Sequence, residues 1–209
     1  MQQSRGIQAL ALCVVATVFC TALDLWTKDW AVDKLSKAQQ FEVPAACTPN
    51  ERGHQYPQRA RGDSIELVSN YLELRYAENC GAAFGLLDEA PRWVRVGVFM
   101  SAGTLAVVAL FVMFWRGSGG PLFAWSVPLV VSGALGNMID RVRLGYVVDF
   151  IHFHIHESFE WPTFNVADST ITVGVALLLL DGMRRVEPAP VKTKAGPEPQ
   201  AESGQSTRA

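Results

Sequence analysis

Charge is scarce in this chain. Only 18% of its residues are charged, and they avoid four long stretches. Residues 6–23, 96–115 and 117–139 carry no Asp, Glu, Lys or Arg, and residues 161–180 carry only Asp168. A helix that crosses a bilayer needs roughly 20 mostly apolar residues. Four such stretches in a chain of 209 residues leave too little polar sequence to cover them as the core of a soluble domain. The expectation is an all-α membrane protein with four transmembrane helices, in contact with a phospholipid bilayer.

Other absences narrow the function. Cysteine occurs only at Cys13, Cys20, Cys47 and Cys80, with no Cys-x-x-Cys spacing. That argues against a zinc ribbon or a thioredoxin-type redox site. Cys13 and Cys20 fall within the first span and read as apolar filler. Cys47 and Cys80 fall outside the membrane, where a disulfide is chemically possible, and the sequence leaves their pairing open. A His-Glu-x-x-His zinc-protease motif is missing. With a net charge of −2 and no basic patch, nucleic acid is not a partner. No Ala-x-Ala follows the first apolar stretch, and the bulky Phe19 before Cys20 is unlike a lipoprotein cleavage box. The N-terminal stretch therefore reads as a retained signal-anchor helix. No internal repeat is present.

The basic residues orient the spans. Arg5 precedes the first, Arg116 lies between the second and third, and Arg184, Arg185, Lys192 and Lys194 follow the fourth. The positive-inside rule puts these segments, and so both termini, in the cytoplasm. Arg52, Arg59, Arg61 and Arg75 lie in a longer outer loop mixed with acids, where the rule has less force. Residues 1–186 then form one four-helix unit. Its extracytoplasmic loop, residues 33–91, holds short strands near 65–76 that predict a small extracytoplasmic β-sheet. Residues 41–63 read as an irregular insertion within that loop. Residues 187–209, rich in Pro, Lys, Glu, Gly and Ser, read as a disordered cytoplasmic tail.

The remaining polar residues cluster at the outer ends of the spans. Asp24 and Lys28 share a helix face at i, i+4, either as a surface ion pair or as part of a site. Asn137, Asp140 and Arg141 share a face late in the third span, and Asn165, Asp168 and Ser169 repeat that geometry at the start of the fourth. Asp149 ends the short apolar run Val147-Val148-Asp149. Intramembrane polar groups usually face the protein interior and mark function. Asp149 and Asp168 return to one membrane face from either side of a short loop. Two close carboxylates cannot both ionise cheaply, so they share a proton, as an aspartyl protease requires. His152, His154 and His156 would share one face of a strand, which looks like a metal site, but polar interfacial side chains are the stronger reading. Ser132 reads as a packing residue rather than a nucleophile.

Together these motifs resemble lipoprotein signal peptidase, also called signal peptidase II, a family of bacterial inner-membrane aspartyl proteases. The resemblance rests on Asp24 with Lys28, the loop 79–84, Gly133 to Asn137 with Asp140 and Arg141, the run 147–150, and Phe164 to Asp168. It implies that Asp149 and Asp168 form the catalytic dyad. Asn79, Gly81, Asn137, Arg141 and Asn165 would line the pocket, with Asp24, Lys28 and Asp140 as further polar positions near it. The family loop usually reads Asn-Thr-Gly-Ala, and here Cys80 replaces the threonine. The implied substrate is a prolipoprotein whose lipobox cysteine carries diacylglyceryl, cut just before that cysteine near the extracytoplasmic face. The implied enzyme is a monomer that uses no metal or organic cofactor. Other classes stay open: a small membrane transporter or ion-binding scaffold using the same acids, or an intramembrane serine or metalloprotease.

Overall fold

The structure is a computed structural model that describes residues 2–36, 62–81, 90–156 and 158–185. The expected insertion, except Gly62 and Asp63, lies outside these residues, as do Cys47 and the expected tail. The element order is α1 (Gln2–Leu35), β1 (Ile65–Val68), β2 (Leu72–Asn79), α2 (Arg92–Trp115), α3 (Pro121–Arg143), β3 (Val147–Ile155), β4 (Phe159–Glu160) and α4 (Val166–Arg185).

The four charge-poor stretches fall in helices long and apolar enough to cross a membrane: Ile7–Leu35, Trp93–Trp115, Pro121–Arg143 and Val166–Arg184. Their outward faces are apolar, with Val15, Phe19, Leu105 and Leu179 each more than 60% exposed. Such faces suit lipid, not water. Trp93 and Trp115, both highly exposed, close the two ends of α2. They are 22 residues apart, roughly 33 Å at about 1.5 Å per residue, which matches a bilayer core of about 30 Å with an aromatic belt on each side.

Local chemistry sets the helix ends. Ser118 N–H bonds Met113 C=O and Gly117 N–H bonds Phe114 C=O, both at 3.0 Å, and Gly117 has φ +64°. This is a Schellman stop, and glycine accepts the left-handed conformation there without a Cβ penalty. Pro121 then sits in the first turn of α3, where a missing N–H costs nothing. Pro128 lies inside α3, and the helix continues through it. Helices α3 and α4 pack at small residues: a Cβ on Gly174 would lie 2.6 Å from Val130 Cγ2, and one on Gly133 would overlap Ala167 O.

The sheet is larger than the sequence suggested. Its four antiparallel strands run β1-β2-β3-β4, so the loop between the last two spans contributes half of it. Ile65 pairs with Leu74 and Leu74 with Ile151, while Glu66 pairs with Glu73 and Glu73 with His152. One face is therefore apolar and the other polar. His152 and His154 stack on the polar face, but His156 lies past the strand with φ 49° and meets Tyr71 edge-on. The three histidines do not share a face.

Between Leu74 and Ala77 the β2–β3 register slips by one residue. Continued alternation from Leu72 and Leu74 would bring Tyr76 and Glu78 onto the face of Asp149. The bulge gives that face to Ala77 and Asn79 instead. Tyr76 turns the other way, into a buried cluster with Ala31, Leu35, Val148 and Phe150.

Candidate active site

Five elements converge at one end of the bundle. Helix α1 supplies Asp24 and Lys28, β2 supplies Asn79, α3 supplies Asn137, Asp140 and Arg141, β3 supplies Asp149, and the first turn of α4 supplies Asp168, with Asn165 just before the helix. Asp24, Lys28, Asp140, Asp149 and Asn165 are each at most 2% exposed. The surface ion pair considered from the sequence for Asp24 and Lys28 is thus a buried one.

Asn165 caps α4. Its Oδ1 accepts from Asp168 N–H at 2.9 Å, and its own N–H donates to Asp168 Oδ2 at 3.2 Å. This is a reciprocal capping box, so Asp168 is both the favoured acid of the first turn and a member of the polar cluster. The Asn165 amide also reaches across to β3, donating to Asp149 Oδ1 at 2.6 Å. Asn79 donates to the other oxygen, Asp149 Oδ2, at 2.9 Å. Asn137 donates to Asp168 Oδ1 at 2.8 Å and accepts from Asn165 at 3.2 Å. Three amides therefore surround two carboxylates.

The two acids differ in environment. Asp149 is buried, whereas Asp168 is half-buried. Burial, and then the neighbouring charge of Asp168, push the Asp149 carboxyl up to about 8. The donors Asn79 and Asn165 and the Lys28 ammonium act against that rise without cancelling it. Burial thus favours the protonated form of Asp149.

Arg141 does not pair with Asp140. Its guanidinium donates to Gly81 O at 2.9 Å and to Asn137 O at 3.3 Å, and it lies 4.3 Å from the centre of the Phe99 ring. It thus fastens the loop after Asn79 to α3. In that loop Cys80 is disulfide-bonded, while Cys13 and Cys20 are free thiols. Ser132 donates to Leu129 O at 3.0 Å within its own helix, which suits a packing role. Among the described residues, no three His, Cys, Asp or Glu side chains group closely enough to hold a metal ion.

Every site position named from the sequence falls in or beside this cluster. Sequence reasoning missed Phe99, and it missed Glu78, which is buried and accepts from Tyr76 Oη at 3.1 Å. Tyr76 Oη also meets Tyr146 Oη at 3.2 Å. The alternation Tyr76-Ala77-Glu78 offered a signal, but the bulge that decides its facing leaves no mark in the sequence.

Comparison with known proteins agrees with this architecture. The sequence profile described as signal peptidase (SPase) II matches residues 16–184. A lipoprotein signal peptidase of Paraburkholderia phytofirmans is 42% identical over 119 residues, covering 57% of this chain and 68% of that protein. One from Cupriavidus necator is 43% identical over 121 residues, covering 57% and 67%. A solved structure described as a bacterial membrane enzyme, obtained by the in meso method at 2.3 Å, superposes with a TM-score of 0.62 at 26% identity. That match covers 85% of this chain and 90% of the other. Four membrane-length helices and a profile match across most of the chain lead to one conclusion: this multi-pass membrane protein belongs to the signal peptidase II family.

Proposed function

We propose that this protein is an aspartyl endopeptidase that removes signal peptides from diacylglyceryl-modified prolipoproteins, cutting just before the lipidated cysteine. The observation that carries the mechanism is the asymmetric pair: a buried Asp149 whose carboxyl is pushed up to about 8, beside a more open Asp168, both held by amides. Asp168 is the ionised member and takes a proton from an attacking water. Asp149 is the protonated member and donates to the scissile carbonyl oxygen as the tetrahedral intermediate forms. A proton then passes to the leaving amine. The residues around the pair carry positioning roles: Asn79, Asn137 and Asn165 orient the carboxylates, and Arg141 holds the Gly81 loop beside them. No cofactor enters these steps.

The substrate class is supported by the relatives named lipoprotein signal peptidase. The acyl chains of the substrate would lie against the lipid-facing helices and so bring the peptide to the pair. The protein acts as a monomer in the bacterial inner membrane, with residues 1–186 as the peptidase unit and 187–209 as a cytoplasmic tail. The test is cleavage of a diacylglyceryl-modified lipobox peptide by the purified protein in detergent. Cleavage before the modified cysteine is expected, unaffected by a chelator or a serine-reactive probe. Loss of cleavage with either reagent would replace the aspartyl mechanism.

A further inference from the structure

The Lys28 ammonium is fully buried among polar groups that surround the two acids. It lies 2.8 Å from Asp24 Oδ2, 3.3 Å from Asp140 Oδ2 and 2.8 Å from Asn137 Oδ1. The Asn137 contact is a hydrogen bond and the two carboxylates are ion-paired with the ammonium, and each of the three partners leads on to the pair. Asp24 Oδ1 accepts Ala167 N–H at 2.8 Å, one residue before Asp168. Asp140 Oδ2 accepts Val148 N–H at 3.1 Å, one residue before Asp149. An ammonium can only donate, so it must face the carbonyl oxygen of the Asn137 amide. That turns the Asn137 NH2 toward Asp168 Oδ1, at 2.8 Å. Helix α3 has no side chain where this centre needs room, since a Cβ on Gly136 would overlap Asp24 Oδ2.

We propose that Lys28 is a positioning residue: one ammonium on α1 ties together the backbone segments that carry Asp149 and Asp168 and sets the amide orientation that feeds Asp168. A buried cation among two carboxylates is a weak source of stability, because desolvation offsets most of its attraction. Its value here is geometric. The inference rests on the aspartyl dyad proposed above.

The test compares Lys28→Met with the charge-compensated triple variant Asp24→Asn/Lys28→Met/Asp140→Asn. The triple variant leaves no unpaired buried charge and keeps a carbonyl acceptor for both backbone N–H groups. Turnover of the lipidated peptide and melting temperature are measured for each. Misplacing a reacting group by about 1 Å costs on the order of 100-fold, so Lys28→Met should lose about that in kcat with KM changed less than about 3-fold. The triple variant should fold and still lose at least about 10-fold in kcat, because methionine cannot orient Asn137. Asp149 faces Asp168 on α4, Asn165 before it, Asn79 on β2, Lys28 on α1 and the Arg141 guanidinium on α3. Removing the Lys28 charge from that set should move the alkaline limb of the pH profile upward in Lys28→Met, where both the Asp24 and Asp140 carboxylates remain, a change that a merely structural role would not produce. A folded triple variant with kcat within about 3-fold of the parent overturns the proposal, since a 1 Å error cannot be that cheap. A triple variant that does not fold also overturns it, because the network would then be needed for the fold itself. Asp149→Asn and Asp168→Asn are assayed in parallel. If they stay active, the dyad is wrong; if they are inactive while both Lys28 variants turn over normally, only the positioning role is wrong.

Discussion

At the scale of single residues, Asp149 is governed by competition between burial and hydrogen bonding. Both of its oxygens receive amide donors, at 2.6 and 2.9 Å, which favours the charged form. Burial and the charge of Asp168 outweigh them and raise its carboxyl to about 8. Replacing either acid, Asp149→Asn or Asp168→Asn, should abolish cleavage while leaving the protein folded. Activity needs one acid charged and one neutral, so the rate should follow a bell-shaped pH profile whose alkaline limb falls near pH 8. Asn79→Ala removes a donor that favours the ionised form, so the limb should move to higher pH as the rate falls. Stability follows the same sign. Between an unfolded value of about 4 and the folded value near 8, the native state holds a proton that the unfolded chain has lost. Stability therefore falls as pH rises through that window, by at most about 1.4 kcal/mol per pH unit. Melting curves of Asp149→Asn across that range should be flatter than those of the parent.

At the scale of elements, the helix ends and strand edges carry the site. Arg141 joins the end of α3 to the loop after β2 through Gly81 O and packs on Phe99. Lysine keeps the charge but not the planar set of donors. Arg141→Lys should therefore lose much of the cleavage rate with little change in melting temperature. Among the described residues, its neighbour Arg143 makes an exposed ion pair with Asp29 at 3.7 Å. Exposed pairs contribute roughly 0–1 kcal/mol, so Arg143→Lys should be nearly silent. Equal, mild effects at both positions would reduce Arg141 to an interfacial anchor. At the opposite end of the bundle, Asp181 on α4 accepts from Gly120 N–H at 2.9 Å and Phe123 N–H at 3.3 Å and so caps α3 from a neighbouring helix. Asp181→Ala should cost about 1–2 kcal/mol of stability, the usual range for a lost cap, and leave kcat unchanged. Thermal melting and peptide turnover on the same preparation would check this.

At the scale of the whole molecule, four antiparallel spans put the start of α1 and the end of α4 at one end of the bundle and the sheet and the acid pair at the other. Arg5, Arg116, Arg184 and Arg185 all lie at the other end, which predicts an N-in, C-in topology. Reporter fusions in the 187–209 segment and in the 41–63 segment should report the cytoplasm and the exterior, respectively. A tail reached from outside would put the acid pair on the wrong face of the membrane for the proposed substrate.

The sequence by itself determined the membrane class, the number of spans and the identity of the clustered polar residues. Those properties are local: an uncharged run of helical length has few alternatives in a bilayer, and an i, i+3, i+4 spacing fixes which side chains share a face. It also marked Asn165 and Asp168, because their i, i+3 spacing puts them on one face at the start of the fourth span. What it could not determine were relations between distant segments. The buried state of the Asp24 and Lys28 pair depends on α3 and α4 closing over α1. The partner of Arg141 is a backbone carbonyl on another element. Half of the sheet comes from β3 and β4, and β3 joins the other half by pairing with β2, as Leu72 with Phe153. The facing of Asn79 hangs on a one-residue bulge against that partner strand. Only the tertiary structure decides such features, because each is set by what packs against a segment and not by the segment's own pattern.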